Sequence, residues 1–546
     1  MKKLLACLLF ACLAPLATLT AQQPILGGEL SNSAATCVED IDEVMPRMRT
    51  MGLNTVLVPV YWELTEPEEG RFDFLLVDRI LQRAREQQLK VVLLWFGAWK
   101  NSMSCYAPAW FKQDTRRFPR AVTASGRRLE IASVFSPEVL QADLRAFSAL
   151  MQHLADVDQP THTVVMVQIE NEVGMLESAR DHSPLANRAY RQPVPPDIAA
   201  ILQLPKGTTW QHAYADDPYG EERFMAYHYA RYIEQLAQAA RRIYDMPLYV
   251  NAAMNSRGRK PGEYPSAGPL AHLYPIWHAA APSIDLIAPD IYDTGFTQWA
   301  AQYDLPGNPL FIPESRCCEN SGVRAVYTFG EHHALGFSPF AIDQASDADT
   351  RSVTEAYRLL SQLYANAVVR EALHPSTSAL HPSWGFLFDQ EDRERTVVDT
   401  PDRVVITARH YYTLPWDPRA SDGTTWPEGG ALLVRLSRYD YLLAGSGIVV
   451  DFRTPGELST DEVRQLGEDG FTLSSSPSTQ TPSSSTPPSS SSAPRLGLLS
   501  VDEVAVTSAG DITYLRRHNG DQTHQGRHAR IAVGDWKILH IRLYSY

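Results

Sequence analysis

Glu172 closes the run VVMVQIENEVG at residues 164–174, and Glu314 closes the run LFIPES at residues 310–315. Each carboxylate stands where an apolar, strand-like stretch gives way to a loop. Two carboxylates on either side of a pocket can break a glycosidic bond. One protonates the leaving oxygen; the other attacks the anomeric carbon or activates a water. Glu170 lies two residues before Glu172, so on a continuing strand both point to the same face. Taken singly, a glutamate at a strand end is an ion-pair partner or a helix cap. The pair carries more weight, provided the fold sets the two runs across one pocket.

The elements around them answer that condition. Short apolar runs recur at Ile25–Leu30, Thr55–Val60, Lys90–Phe96, Val164–Glu170, Leu248–Ala252, Ile284–Ala288, Leu310–Pro313 and Ala334–Phe340. Several are continuously apolar, as strands buried on both faces should be. Helical periodicity lies between or after them at Glu39–Met51, Phe74–Gln88, Pro137–Ala155, Glu221–Tyr244 and Thr350–Val369. Strand alternating with helix predicts a parallel sheet, and eight repeats predict a (β/α)8 barrel. An open doubly wound sheet usually carries a glycine-rich phosphate turn after its first strand, and no GxGxxG is present there. The fold expected is α/β: a (β/α)8 TIM barrel followed by a C-terminal all-β, sandwich-like domain.

In such barrels chemistry sits at the C-terminal ends of the strands. Those ends hold Glu29, Asn32, Tyr61, Trp62, Glu63, Trp95, Trp99, Lys100, Asn101, Gln168, Glu170, Asn171, Glu172, Asn251, Asp290, Tyr292, Asp293, Glu314, Arg316 and Asp343. Carboxylates, amides and aromatics dominate. No histidine pair has metal-ligand spacing, and no GxSxG elbow is present. The implied ligand is neutral, rich in hydroxyls and stackable, which describes a sugar. No metal or cofactor is expected.

Composition agrees. The chain has 546 residues, 44% hydrophobic and 21% charged, and 49 Lys and Arg against 63 Asp and Glu give a formal charge of −14. An acidic protein is a poor partner for nucleic acid, which calls for a basic footprint. Lys2 and Lys3 followed by an apolar run to Leu19 predict a signal peptide over residues 1–22, hence export to the periplasm or beyond. The run is too short for a membrane span, and none follows it. Cys37, Cys105, Cys317 and Cys318 lie outside this segment, in an order that fixes no pairing. Residues 474–494 are almost entirely Ser, Thr and Pro and predict a disordered loop. The expected layout is a barrel over 23–370 and a β domain over 371–546 containing that loop.

Several motifs carry a family resemblance. QIENE resembles the acid/base signature of clan A glycoside hydrolases, and FIPES their nucleophile strand. VPVYWELTEPEEGRFDF at residues 58–74 is similar to a second-strand motif of families 35 and 42. QIENEVG is closest to family 35 β-galactosidases. GGELSNSA, WFGAWKNS at 95–102 and NGDQTHQGRHARI at 519–531 resemble a bacterial branch of that family with its own C-terminal β domain. The resemblance implies Glu172 as acid/base, Glu314 as nucleophile, Asn171 on the sugar 2-hydroxyl and Tyr292 orienting Glu314. It places Glu170, Trp95, Lys100, Asn101, Tyr106 and Tyr61 around the substrate, with Trp99 nearby. The function it implies is a retaining, exo-acting β-galactosidase that hydrolyses terminal galactose from oligosaccharides or polysaccharide-derived chains. Another clan A glycosidase (β-glucosidase, β-mannosidase, arabinosidase) and a non-catalytic sugar-binding barrel are the alternatives.

Overall fold

The structure is a computed structural model describing residues 24–255, 258–374, 382–458, 465–466, 472–473 and 494–546. The expected signal peptide, and the Ser/Thr/Pro stretch except for Pro494, lie outside the described residues. Contacts divide the chain into two compact units. One holds residues up to Cys317 together with Ala334–Ser346; the other holds Cys318–His333 and Asp347–Tyr546.

The first unit contains eight parallel strands: β1 (Ile25–Leu26), β2 (Thr55–Tyr61), β3 (Lys90–Lys100), β4 (Val164–Asn171), β5 (Leu248–Ala253), β6 (Leu286–Ile291), β7 (Phe311–Ile312 and Glu314–Ser315, interrupted at Pro313) and β8 (Gly336–Phe337). They pair in sequence order, with β7 joined to both β6 and β8. The ring closes because β1 pairs with β8, and Leu57 N donates to Gly28 O at 2.9 Å while Leu30 N donates to Leu57 O at 3.0 Å. Every residue of β2 and of β6 is buried, which is why these strands read as unbroken apolar runs rather than alternating ones.

Helices follow each strand: α1 (Val38–Thr50), α2 (Leu75–Glu86), α3 (Pro137–Val157), α4 (Gly220–Ile243), α5 (Tyr274–Ala280), α6 (Phe296–Tyr303), α7 (Ser321–His332) and α8 (Asp347–Ala365). In α3 the buried positions Val139, Ala142, Asp143, Ala146, Phe147, Leu150 and Leu154 recur every three or four residues, the stripe of a helix lying on a sheet. Ser136 caps it, its hydroxyl accepting from Val139 N, and Pro137 opens the first turn. Helices α5, α6 and α7 lie outside the periodic segments of the sequence; the first two have only 7 and 8 residues.

Among the described residues the second unit contains α7, α8, a two-residue pairing of Gln465–Leu466 with Thr472–Leu473, and two larger antiparallel sheets. One sheet has the order β9 (Ser383–Phe388), β12 (Gly429–Ser437), β13 (Asp440–Ser446), β18 (Lys537–Ser545), β15 (Leu496–Val506), β16 (Ile512–His518). The other has β10 (Glu394–Asp399), β11 (Val404–His410), β14 (Ile448–Arg453), β17 (Ala529–Ile531). Alternate residues from both sheets, among them Phe386, Ile406, Leu433, Tyr441, Val450, Ile531 and Leu539, share one buried core, as in a sandwich. Residues 496–546 complete both sheets instead of forming a core of their own.

Candidate active site

The strand register collects the candidate groups. Asp290 on β6 sits beside Glu314 on β7, and Lys100 on β3 sits beside Asn171 on β4. Glu172, Asp290 and Glu314 are all buried, and one carboxylate oxygen of each lies within 4.8 Å of the others. They face a cavity of about 500 Å³ that is also lined by Asn32, Lys100, Asn101, Met254, Arg259, Tyr264, Tyr292 and Phe340.

Glu314 is held from both sides. The Tyr292 hydroxyl donates to Oε2 at 2.8 Å, while the amides of Asn171 and Asn251 each donate to Oε1 at 3.3 Å. Asn251 also donates to Asp290 Oδ2 at 2.7 Å, and its own oxygen accepts from Glu172 N at 3.0 Å. One asparagine on β5 thus ties together the backbone of one candidate carboxylate and the side chains of two more. Asn101 donates to Glu172 Oε2. Ser102 N donates to Glu172 O at 3.0 Å, which locks the turn after β3 against the end of β4.

Burial raises the Glu172 carboxyl to about 7, with the charge of Glu314 adding to the rise and the ammonium of Lys100 opposing it. A carboxyl poised near neutrality is what a proton shuttle requires. Asp290 is pushed well above the usual range by burial and by the charges of Glu314, Glu172 and Glu29. Burial would lower the Lys100 ammonium, but the surrounding Glu314, Glu172, Glu29 and Asp290 outweigh it and raise it. By spacing alone Glu172, Asp290 and Glu314 would suit a hard cation; Lys100, acting on all of them, already supplies positive charge there.

Glu170 is placed elsewhere. The side chains of Glu170 and Glu172 would share a face on a regular strand, yet both residues adopt left-handed backbone, at φ 61° and 47°. The alternation therefore breaks. Glu170 turns toward β3, where it accepts from Ala98 N at 3.0 Å and Trp99 N at 2.7 Å. Gly97 makes room: a Cβ there would stand 2.5 Å from Glu170 Oε1 and 2.2 Å from Trp95 Nε1. Trp95 likewise points out of the cavity, donating to Asp143 on α3 at 3.0 Å. These two expected substrate contacts are corrected to braces between the barrel and α3.

Tyr61 is a further correction. It is buried, stacks on Tyr106 at 5.2 Å and meets Phe96 edge-on at 5.9 Å, and it lines a separate, smaller hollow with Leu64 and Ile80. Tyr106 is half-buried in that aromatic group, and its hydroxyl donates to Asn32 O at 3.3 Å. Trp99 is fully buried, donating to Ala132 O. Lys100, Asn101, Glu172, Tyr292 and Glu314 do line the cavity, with Asn171 directly behind Glu314. The 58–74 motif is a brace too: Glu66 accepts from Trp62 Nε1, Gly70 N and Arg145 Nη2.

Strand-end position singled out Glu29, Asn251 and Asp290 but gave them no role. The rim residues Met254, Arg259, Glu263, Tyr264 and Pro265 after β5 offered no signal, because nothing in their composition distinguishes them from any long loop. Cys37, Cys105 and Cys318 are free thiols. Among the described residues no helix is long and apolar enough to cross a membrane.

Residues 34–216 match the family model of glycoside hydrolase family 42, described as Beta-galactosidase, and residues 353–530 match a domain of unknown function, DUF5597. The first match names family 42 and not family 35. A Beta-galactosidase of Xanthomonas manihotis is 33% identical over 160 residues, covering 27% of this chain and 23% of that protein. Human Beta-galactosidase-1-like protein 3 is 27% identical over 148 residues, covering 26% and 21%. The chain thus spans between a fifth and a quarter of the length of these curated relatives. The crystal structure of a β-galactosidase from the psychrophilic Marinomonas ef1 aligns over 62% of this chain and 60% of its own, with a TM-score of 0.46 and 14% identity.

Proposed function

We propose that this barrel belongs to a clan A β-galactosidase, and that it removes terminal β-galactose by double displacement. The observation that carries the reading is the convergence of Glu172 and Glu314 from β4 and β7, with oxygens within 4.8 Å, in a cavity sized for one or two sugar rings. Retaining glycosidases hold their carboxyls about 5–5.5 Å apart; inverting ones leave roughly 6.5–9.5 Å for a water. The approach of one oxygen from each carboxyl to within 4.8 Å supports the closer arrangement, and with it direct attack. Glu172, protonated below about pH 7, gives its proton to the leaving oxygen while Glu314 attacks the anomeric carbon. Forming the ester removes the Glu314 charge, which lowers the affinity of Glu172 for a proton and makes it the base that activates water. In this reading Asn171, which donates to Glu314, meets the sugar 2-hydroxyl.

Galactose as the sugar, a family 35 kinship, exo-action and an oligosaccharide or polysaccharide-derived substrate are part of the proposal, supported by the motifs and by the named relatives. So is export, read from residues 1–22. A panel of aryl β-glycosides tests the sugar: β-galactoside should be turned over fastest. Proton NMR of the first product tests the mechanism. A β-anomer is expected before mutarotation, and an α-anomer appearing first would remove Glu314 as nucleophile. Binding of galactosides with no turnover at any pH would make the barrel a sugar receptor.

A further inference from the structure

Four buried carboxyls meet one buried ammonium at the barrel mouth. Glu29, Glu172, Asp290, Glu314 and Lys100 are each 4% exposed or less. Fully ionised, the group would carry three uncompensated negative charges out of water, which like-charge repulsion and desolvation forbid. Burial and mutual repulsion therefore favour the protonated forms of Glu29, Glu172 and Asp290. Glu314 accepts three hydrogen bonds from Tyr292, Asn171 and Asn251, so it is the acid best equipped to be the anion. Asp290 is equipped differently. Its Oδ2 accepts from Asn251, and its Oδ1 is buried with no donor among the described residues. A buried carboxyl oxygen with no donor, on a side chain that lies beside another carboxyl, is explained if the group is an acid carrying its own proton. Its side chain is within hydrogen-bonding reach of Glu172.

We propose that Asp290 is a positioning residue that works as a neutral carboxylic acid, donating a hydrogen bond to Glu172 and so stabilising Glu172 whenever it is ionised. The inference rests on the reading of Glu172 as acid/base. In the first half-reaction Glu172 passes its proton to the leaving oxygen and becomes a carboxylate. Asp290 keeps its own proton and donates to that carboxylate. In the second half Glu172 takes a proton from the attacking water, and the pair returns to its starting state. No proton leaves Asp290. Burial of Asp290 and the charges around it support the assignment, since each favours its neutral form. The groups acting on it are Glu29 from the segment just after β1, Lys100 from β3, Glu172 from the end of β4, Tyr249 from β5, Tyr292 just after β6, Tyr303 from α6 and Glu314 from β7.

The experiment is the pH dependence of kcat/KM for a galactoside with a poor leaving group, in wild type, Asp290→Asn and Asp290→Ala. Asparagine keeps a neutral donor, so activity should stay within about threefold and the alkaline limb should not move. Alanine removes the donor. Activity should fall about 10- to 100-fold, the cost of a hydrogen bond to a charged group, and the alkaline limb should move upward because ionised Glu172 loses its support. An ionised Asp290 predicts the opposite sign: both variants would delete a negative charge and move the limb downward, which overturns the proposal. Infrared spectroscopy of wild-type enzyme labelled with ¹³C in the aspartate carboxyls needs no variant to fold. A protonated-aspartate band persisting at pH 8 and missing in Asp290→Asn is expected, and its absence from wild type refutes the idea. If Glu172→Gln leaves the alkaline limb in place, the reading of Glu172 fails instead, and the infrared result still stands for Asp290.

Discussion

Replacing Tyr292 with Phe deletes one hydroxyl and nothing else. That hydroxyl is the donor to Glu314 Oε2, at 2.8 Å. The other oxygen, Oε1, keeps Asn171 and Asn251. The ring keeps its edge-on contact with Phe340, 6.3 Å away, so the cavity wall should not collapse. A hydrogen bond to a charged acceptor contributes about 1.5–3 kcal/mol, and each 1.4 kcal/mol is tenfold in rate, giving about 10- to 150-fold. Tyr292 is 37% exposed, so water can replace part of the lost bond. The lower part of the range applies, about 10- to 30-fold. Because the hydroxyl touches Glu314, the proposed nucleophile, and not the aglycone, the loss should fall on kcat more than on KM. Turnover of 4-nitrophenyl β-galactoside and thermal melting by circular dichroism measure the two quantities. Turnover within twofold of wild type would assign Tyr292 to packing. A melting temperature more than about 5 °C lower would show that the hydroxyl holds the fold and not the nucleophile.

Glu172→Ala should lose most activity on natural galactosides, retain activity on aryl galactosides whose leaving group needs no proton, and be rescued by azide to give β-galactosyl azide; failure of rescue would remove Glu172 as the acid/base. In the wild type, Glu172 must be protonated to act, so kcat/KM should fall about tenfold per unit above roughly pH 7; a flat profile to pH 9 would contradict this. Glu29, buried just after β1, has its carboxyl raised well above the usual range by burial first and by the charge of Glu314 next. A raised carboxyl leaves stability intact below the unfolded value and erodes it as pH rises toward the folded one. Glu29→Gln should therefore raise the melting temperature by about 2–4 °C at pH 8 and change it little at pH 4; a lower melting temperature at pH 8 would mean that Glu29 is ionised and paired.

The eight strands were legible because parallel strands covered on both faces are continuously apolar, and β2 and β6 are of that kind. The long helices α3 and α4 were legible from their periodic stripes. Short helices such as α5 carry two turns at most, too few for a period to emerge from the loops around it. Glu172 and Glu314 could be found because barrels concentrate chemistry at strand ends. The side-chain directions of Glu170 and Trp95 could not be found, since they depend on left-handed residues at 170 and 172 that no propensity assigns to glutamate. Tyr61 misled for a related reason: a strand-end aromatic can face the mouth or the neighbouring helices, and residue type does not choose. Asn251 has no local signal at all, because its role exists only once β4, β6 and β7 converge on it.

The interleaving of the two units along the chain has a consequence for how this molecule can be inherited. Residues 318–333 cluster with the C-terminal unit, yet residues 334–346, which include β8, cluster with the barrel. The polypeptide crosses between units three times, so no single break in the gene yields one unit whole. A fragment ending before 318 would leave the ribosome without the strand that closes the ring, and one starting at 371 would lack α7 and α8. Grafting this C-terminal unit whole onto another barrel would therefore require exchanging residues 318–333, a helix inside the barrel's own repeat, as well as everything after 346.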